Sequence, residues 1–274
     1  MQTLPKKIHV VAFDVPYPAD YGGVIDIYHK VEALHHQGIE VILHMYQYGR
    51  EESKTKLRKI TKALYYYKRS TFKNPFVGST PYIVNSRNGN ELLDNLLKDS
   101  APILFEGLHC TYHIANPLLA KRFKIVRTHN IEHHYYKHLE KSEFSYFKKY
   151  FFRIEAEKLR KHESILKHAQ LVAAISPNDY AYFAKKYANV MYVPAFHSNN
   201  AMDYPGAKGD YLLYHGNLSV PENYMAAIEL VKHVFSQLPN TPAIIAGNNP
   251  PKELIQLCER YLFLSNHWHQ LLLV

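Results

Sequence analysis

Short apolar runs and helical patterns alternate along the first part of the chain. An apolar run at residues 8–13 predicts a strand, and apolar positions at helical spacing predict a helix over residues 24–37. A second strand is predicted at residues 40–46. A strand, a helix and a strand at this spacing are typical of a right-handed βαβ unit, so we predict a parallel sheet.

The same alternation continues and then restarts after a gap. Further strands are predicted at residues 63–67, 102–105, 124–128, 171–174 and 190–193, and helices at 51–61, 91–98 and, as one long amphipathic helix, about 135–168. Residues 194–210 show no periodicity. Beyond them, strands are predicted at 211–214 and 242–246, and helices at 224–235 and 251–260. We therefore predict the α/β class, with a Rossmann-like domain over residues 1–195, a linker over 196–209 and an incomplete second Rossmann-like domain over 210–274.

The loop between the first strand and the first helix ends in two glycines, Gly22 and Gly23, directly after Tyr21. Glycines at a helix start let a ligand approach the bare backbone, where free N–H groups and the helix dipole favour an anion such as a phosphate. The alternative is a tight turn without a ligand.

Polar residues also follow two later predicted strands. Glu106 and His109 come after the strand at 102–105, and His129, Asn130 and Glu132 come after the strand at 124–128. Open α/β sheets bind ligands at the carboxyl ends of their strands, so these residues are candidates for a site.

Ser176 follows the strand at 171–174 and precedes Pro177 and Asp179. Serine, proline and aspartate in this order predict a helix start with Ser176 as the N-cap. Capping accounts for Ser176 fully, although the same hydroxyl could also meet a ligand.

Three other classes of site find little support. His129 to His133 match the H-x-x-E-H zinc pattern, but His129 directly follows a strand, so the two histidines are not expected to share a helical face, and we predict no metal. The Gly-x-Ser-x-Gly motif of serine hydrolases is absent. No recognition-helix or RNA-platform signature is present, so we predict no nucleic-acid partner.

The formal net charge of +9 is concentrated in two segments. Residues 50–74 hold nine Lys and Arg against two Glu, and residues 137–168 hold nine against five acidic residues. An anionic membrane surface could bind these segments, and solvated helix faces are the alternative. The aromatic positions Phe144, Phe147 and Phe151 in the second segment are expected in the core or in an inter-domain seam, with a membrane-facing surface as the alternative.

Two further features concern the cellular location. No apolar run reaches the length of about 18 residues that a membrane span needs, and the only cysteines, Cys110 and Cys258, suggest no disulfide framework. We therefore expect a cytoplasmic protein, with peripheral contact at the inner face of the membrane through 50–74 and 137–168.

Four motifs in order resemble one enzyme family. They are the loop with Gly22-Gly23, the stretch Arg127-Thr128-His129-Asn130-Ile131-Glu132, the stretch from Ala174 to Asp179, and Tyr214-His215-Gly216-Asn217-Leu218 followed by Pro221-Glu222-Asn223. Together they resemble GT-B glycosyltransferases of the large group-1, glycogen-synthase-like, retaining family.

The resemblance implies a reaction and a set of roles. Family members transfer a sugar from a nucleotide-sugar donor to an acceptor without an enzyme-held metal or another cofactor, using two Rossmann-like domains. His129 and Glu132 would then be catalytic, and Gly22, Gly23, Gly216 and Asn217 would contact the donor. Tyr21, Glu106, His109, Asn130 and Ser176 would line the acceptor side of the cleft. The expected acceptor is a glycan or a lipid-linked sugar in polysaccharide or glycolipid synthesis.

The second domain departs from the family pattern. The acidic Glu-x7-Glu motif that holds the donor is missing after Gly247, and Asn217, Glu222 and Asn223 stand where a basic pair is expected. We therefore expect a C-terminally truncated chain with an incomplete donor site. A catalytically inactive fragment acting as a binding module, and a sugar-nucleotide epimerase-like enzyme, are the alternatives.

Overall fold

The structure is a computed structural model that describes residues 6–47, 54–72, 74–143, 145–198, 209–238 and 241–264. The chain divides into two compact units, residues 1–200 and 201–274. Most of the predicted linker and of the C-terminal tail lies outside the described residues.

The first unit is built on a seven-stranded sheet within the described residues, in the order β3-β2-β1-β4-β5-β6-β7. Its strands are β1 (Lys7–Ala12), β2 (Glu40–Gln47), β3 (Ala63–Lys68), β4 (Ile103–Glu106), β5 (Lys124–Thr128), β6 (Leu171–Ala174) and β7 (Val190–Tyr192). Every neighbouring pair is parallel. The predicted α/β class and parallel sheet are confirmed.

Helices cover the sheet because their apolar stripes pack against the buried strands. They are α1 (Gly22–His36), α2 (Lys54–Ile60), α3 (Tyr82–Asn85), α4 (Asn90–Leu96), α5 (Glu132–Ser142), α6 (Tyr146–His162) and α7 (Pro177–Ala184), with 3-10 turns at Leu108–His113, Pro117–Leu119 and Glu163–His168. One apolar cluster contains Val10 and Ile27 with their neighbours, and another contains Val11 and Leu96 with theirs. Because Val10 and Val11 are successive residues of β1, the two clusters lie on opposite faces of the sheet.

The strand order reverses direction between β1 and β4. The chain first builds β1, β2 and β3 outward in one direction, then returns to place β4 on the other side of β1. Two crossovers therefore diverge beyond the carboxyl ends of β1 and β4, which leaves a crevice there.

The prediction of a single long helix at about 135–168 is wrong. The chain forms α5 and α6 instead, with Glu143 in an extended conformation after α5 and Ser145 in one before α6. The break lets the two helices fold back on each other and bury Tyr136 with Ala156 and Leu159. One continuous helix could not bury both stripes against each other.

The aromatic stripe predicted for the core is therefore divided. Phe151 packs against the cluster of Tyr136 and Ala156, but the side chain of Phe147 is 69% exposed. Phe144 lies outside the described residues.

The second unit contains β8 (Leu212–His215), α8 (Pro221–His233), β9 (Ala243–Ala246) and α9 (Lys252–Leu264), with a 3-10 turn at Phe235–Gln237. β8 and β9 pair in parallel, and the unit has an apolar cluster of its own around Ile228, Val231 and Ile245. No helix within the described part of the chain is long and apolar enough to cross a membrane.

Candidate active site

The carboxyl ends of β1, β4 and β5 surround one group of polar side chains in the first unit. Glu106 is the last residue of β4, Arg127 belongs to β5 and His129 follows β5. Helix α1 contributes Asp26 and Lys30 from its buried face. The predicted candidates Glu106 and His129 are thus brought together at the reversal of strand order.

Lys30 links the two carboxylates of this group. Its Nζ donates to Asp26 Oδ2 at 2.8 Å and to both oxygens of Glu106 at 2.8 and 3.0 Å. All three side chains are buried. An ionised side chain in a dry interior is stable only when an opposite charge pairs with it. Here each carboxylate has the Lys30 ammonium as its partner.

Arg127 closes the group from the other side. Its Nε and Nη2 donate to the two oxygens of Asp26 at 3.2 and 3.0 Å. The same guanidinium donates to the carbonyl oxygens of Val193 and, at 3.1 Å, Pro194, and the Phe196 amide donates to Asp26 at 2.8 Å. The segment after β7 is therefore tied to α1 and β5 by one buried network.

The two carboxyl groups are ionised in this environment. Burial alone would raise the pKa of Asp26, but the charge of Lys30 and the hydrogen bond from Arg127 outweigh it and lower that pKa to about 2. Burial opposes ionisation of Glu106 too, and Lys30 and His129 together lower its pKa. The network holds two negative and two positive charges before His129 is counted.

His129 is oriented by Glu106. Its Nε2 lies 2.9 Å from Glu106 Oε2. An ionised carboxylate only accepts hydrogen bonds, so Nε2 carries the proton and donates it to this bond. In the neutral ring Nδ1 is then an acceptor, and 8% of the side chain remains exposed. The arrangement fixes one tautomer and holds the ring at the edge of the crevice.

The same group has the spacing of metal ligands. One ligand atom each of Asp26, Glu106 and His129 lies within 4.8 Å of the others, the one such set among the described residues. Lys30 and Arg127 already occupy these carboxylates and balance their charge. The residues therefore fit an ion network, and a divalent cation would have to displace two cations to bind.

Phe13 lies between this network and the predicted glycine loop. Its ring contacts those of His109 and His129, with centroids 5.3 and 5.4 Å apart. A Cβ on Gly23 would come within 2.6 Å of the Phe13 ring, whereas one on Gly22 would meet nothing within 4 Å. Gly23 is thus required by packing, and Gly22 leaves the start of α1 open.

His109 and Glu132 form a second polar pair beside the first group. His109 Nδ1 and Glu132 Oε1 lie 3.8 Å apart, and both atoms are buried without a hydrogen-bond partner among the described residues. Burial raises the pKa of Glu132 to about 8, with Asp179 adding to the effect. Burial and the charge of Arg87 lower the pKa of His109 well below its usual range. At neutral pH Glu132 is therefore a protonated carboxyl, able to donate a hydrogen bond.

Gly107 sets the position of His109. It follows β4 with φ 75° and ψ 166°, a region that residues with a side chain rarely adopt. A Cβ there would also lie 2.8 Å from His109 Nδ1. The glycine therefore allows the chain to leave β4 and place His109 against Glu132.

The remaining predicted residues of the first unit lie around this centre. Tyr21 precedes α1 and donates through its hydroxyl to Asp14 Oδ2 at 3.1 Å. Asn130 is exposed directly after His129. Ser176 accepts a hydrogen bond from the Asp179 amide at 3.0 Å as the N-cap of α7, which confirms the predicted cap.

Gly216 and Asn217 lie in the second unit, after β8. Asn217 Oδ1 accepts from the amide and hydroxyl of Ser219 at 3.1 and 2.6 Å, which shapes the turn into α8. A Cβ on Gly247 would lie 1.9 Å from the Gly216 carbonyl oxygen, so the two loops that end β8 and β9 require a glycine at 247. Roles of Gly216 and Asn217 in donor binding stay predictions.

Sequence reasoning missed Asp26 and Lys30 as members of the site, and quoted Arg127 only as part of a motif. A signal was present: Asp26 and Lys30 have opposite charges, lie four residues apart and flank Ile27 in the buried stripe of α1. A charged pair on the apolar face of a helix indicates a third, buried partner.

Comparisons with known proteins support the same architecture. No protein-family model matches the chain. An uncharacterised 44.6 kDa protein in the cps region of Klebsiella pneumoniae is 31% identical over 255 residues, which are 88% of this chain. The chain spans 65% of that relative's length, less than two thirds.

Solved structures with similar folds are GT-B glycosyltransferases. Sucrose-phosphate synthase from Thermosynechococcus elongatus superposes with a TM-score of 0.58 at 15% identity, over 98% of this chain and 70% of that one. Phytolacca americana UGT2, solved with UDP-2-fluoro-glucose and pterostilbene, gives a TM-score of 0.51 at 9% identity, over 91% and 68%. This chain has the GT-B glycosyltransferase fold.

Proposed function

We propose that this chain belongs to a glycosyltransferase that transfers a sugar from a nucleotide-sugar donor during polysaccharide synthesis. The observation that carries the proposal is the bond between His129 and Glu106 at the reversal of strand order in a GT-B fold. The cps region that holds the Klebsiella pneumoniae relative, a polysaccharide gene cluster, supports the pathway class. Assignment to the retaining group-1 family is part of this proposal.

His129 is the residue that meets the reacting sugar. Glu106 fixes its tautomer, Lys30 and Arg127 keep the surrounding carboxylates ionised, and 8% of the side chain remains exposed. A ring held in this way hydrogen-bonds a sugar hydroxyl without reorganising first, which favours the transition state. Asn130 adds an exposed amide beside it.

Helix α1 supplies the anion-binding element. It begins at Gly22 without a side-chain cap, and its first turn has no acidic residue. The first backbone N–H groups of the helix and its dipole therefore attract negative charge, and Gly22 leaves room for a close approach. A donor diphosphate or the sugar attached to it is the group expected there.

Nucleotide release tests the reaction. The protein is incubated with UDP-, GDP-, ADP- and dTDP-sugars, and the free nucleoside diphosphate is measured with and without a polysaccharide or lipid-linked acceptor. His129→Ala is expected to lower turnover about 100-fold, since one preorganised hydrogen-bond partner of the reacting sugar is lost. His35→Ala, at the exposed end of α1, is the control and should keep full turnover.

Calorimetric titration with the same four nucleoside diphosphates separates the competing functions. Saturable heat with one of them supports a glycosyltransferase donor site. A chain that binds none of them is an inactive binding module, and a chain that changes the sugar of a donor without any acceptor is an epimerase-like enzyme. Either of the last two results contradicts the proposal.

The acceptor is expected to lie at a membrane surface. The aromatic patch, which we define as Phe76, Val77, Tyr146, Phe147 and Tyr150, has four members that are 59% to 90% exposed, and Phe76 stacks on Tyr150. Lys148 and Lys149 lie within this stretch of α6. Exposed aromatic side chains interleaved with basic ones are typical of a surface that enters the headgroup region of an anionic bilayer.

Vesicle sedimentation tests this surface. The protein is expected to pellet with vesicles that contain anionic lipid at low salt and to remain in solution with neutral ones. Tyr146→Ser combined with Phe147→Ser and Tyr150→Ser should abolish pelleting. The matched control replaces Phe123, Tyr180 and Tyr192, which are also exposed but lie outside the patch. Equal pelleting of the two variants would remove the membrane from the proposal.

A further inference from the structure

An open pocket lies between helices α5 and α6, and its lining shares no residue with the candidate active site. Its volume is about 510 Å³. Lys137, His138 and Lys141 of α5 line one wall, and Arg153 and Glu157 of α6 line the other. The break between α5 and α6 creates this pocket, because α6 lies back alongside α5.

The pocket has an excess of positive charge, although Lys137 acts electrostatically on Glu157. Lys137, Lys141 and Arg153 make no salt bridge within the described residues. Glu157 is held by Arg160, whose guanidinium donates to it at 2.7 and 3.0 Å, and this hydrogen bond lowers the pKa of Glu157. The negative charge of Glu157 is therefore already balanced by Arg160, which does not line the pocket. Glu140 is the remaining acidic residue of the lining.

We propose that this pocket binds the phosphate or pyrophosphate group of the acceptor. Two lysines and an arginine on facing helices line a pocket of about 510 Å³, and a guanidinium pairs with two phosphate oxygens at once. The inference rests on the proposed transferase, since it names the chemical class of its acceptor.

The position of the pocket favours a phosphate carried on a lipid. Arg153 lies one helical turn after Tyr150, so the pocket adjoins the aromatic patch along α6. At the other end, α5 begins at Glu132, three residues after His129. A phospholipid-type acceptor can thus place its tail at the aromatic patch and its phosphate in the pocket, with the sugar-accepting end directed along α5 towards His129.

The pocket variant for the test is Lys137→Ala with Lys141→Ala and Arg153→Ala. The control is Lys121→Ala with Lys185→Ala and Lys232→Ala, which removes the same charge from exposed positions outside the pocket. Inorganic pyrophosphate is titrated into the full chain and both variants by calorimetry. The pocket variant should bind pyrophosphate at least about tenfold more weakly than the parent, because three charge contacts are lost. The control should bind it as the parent does.

A second arm identifies the carrier of the phosphate. Sedimentation with neutral vesicles that contain a few per cent of a polyisoprenyl phosphate should pellet the parent and the control but not the pocket variant, and soluble pyrophosphate should compete. If pyrophosphate binds and these vesicles do not, the lipid carrier is excluded. If pyrophosphate binds the pocket variant as tightly as the parent, or binds neither, the pocket is not a phosphate site.

The outcome is distinguishable from failure of the transferase itself. The pocket variant should bind the donor's nucleoside diphosphate with unchanged affinity, because no residue of α1 or of the His129 network is altered. If the parent chain binds no nucleoside diphosphate, the proposed function is overturned. Unchanged acceptor use by the pocket variant overturns only the pocket.

Discussion

At the scale of single residues, Glu132 shows how burial changes the chemistry that a motif suggests. The family resemblance implies a catalytic carboxylate here, and the structure encloses it with 2% of its side chain exposed. Its pKa of about 8 leaves it protonated at pH 7, so it is able to donate a hydrogen bond.

This protonation makes a prediction about stability and pH. The unfolded carboxyl has a pKa near the ordinary glutamate value of 4.5, so the unfolded chain releases a proton between pH 4.5 and 8 that the folded chain retains. Stability therefore falls as pH rises through this window. Glu132→Gln has no proton to release, and its stability relative to the parent should rise with pH, by on the order of 3 kcal/mol between pH 4.5 and 7.

Urea unfolding of both proteins from pH 5 to pH 8 measures the difference. Glu91→Gln is the control, since Glu91 is exposed on α4 and should show a difference that does not vary with pH. A constant difference for Glu132→Gln as well would mean that Glu132 is ionised in the folded protein.

Gly107 gives a second prediction at this scale. Gly107→Ala forces a side chain into a positive-φ conformation and against His109, and should cost about 2 to 3 kcal/mol of the free energy of unfolding. Gly89→Ala is the matched control, because Gly89 has φ −62° and open space around its Cβ position; its cost should stay below about 1 kcal/mol. Thermal unfolding of the two variants decides, and equal costs would contradict the backbone argument.

At the scale of secondary-structure elements, one buried network joins α1, β4, β5 and the segment after β7. Arg127→Ala leaves Asp26 with Lys30 and the Phe196 amide and removes the donor to the carbonyl groups of residues 193 and 194, so it should cost about 3 to 5 kcal/mol. Arg160→Ala removes a pair of similar geometry on the exposed face of α6 and should cost at most about 1 kcal/mol.

Chemical denaturation compares the two arginine variants. The larger cost is assigned to Arg127 because water cannot replace its two hydrogen bonds to the buried Asp26 carboxylate. A cost for Arg127→Ala no greater than that for Arg160→Ala would show that water reaches Asp26.

At the scale of the whole molecule, the two units have separate apolar cores. One surrounds β8 and β9, and the others surround the seven-stranded sheet. Gly247→Ala should therefore disrupt the second unit alone, because a Cβ at this position would overlap the Gly216 carbonyl oxygen.

Hydrogen exchange measured by mass spectrometry tests this independence. Protection should be lost in β8 and β9 and kept in β1 to β7. Gly216→Ala is the control, since its Cβ would meet Asn223 at an ordinary 3.5 Å and should leave protection in both units. Loss of protection across the first sheet in Gly247→Ala would show that the units unfold together.

The sequence determined the order of the strands, the parallel sheet and the positions of Glu106 and His129 at strand ends. Apolar periodicity reports which face of each element is buried, and parallel strands with helical crossovers follow from it. The cap at Ser176 was equally local, since its hydroxyl bonds to an amide three residues away.

Only the tertiary structure decided the features that depend on distant partners. Asp26 and Arg127 are 101 residues apart in the chain, and no local pattern shows that they form an ion pair. The break between α5 and α6 lets Tyr136 of one helix pack with Ala156 and Leu159 of the other, a contact between residues about 20 positions apart. The protonation of Glu132 likewise depends on how completely the fold encloses it, which the identity of the residue does not reveal.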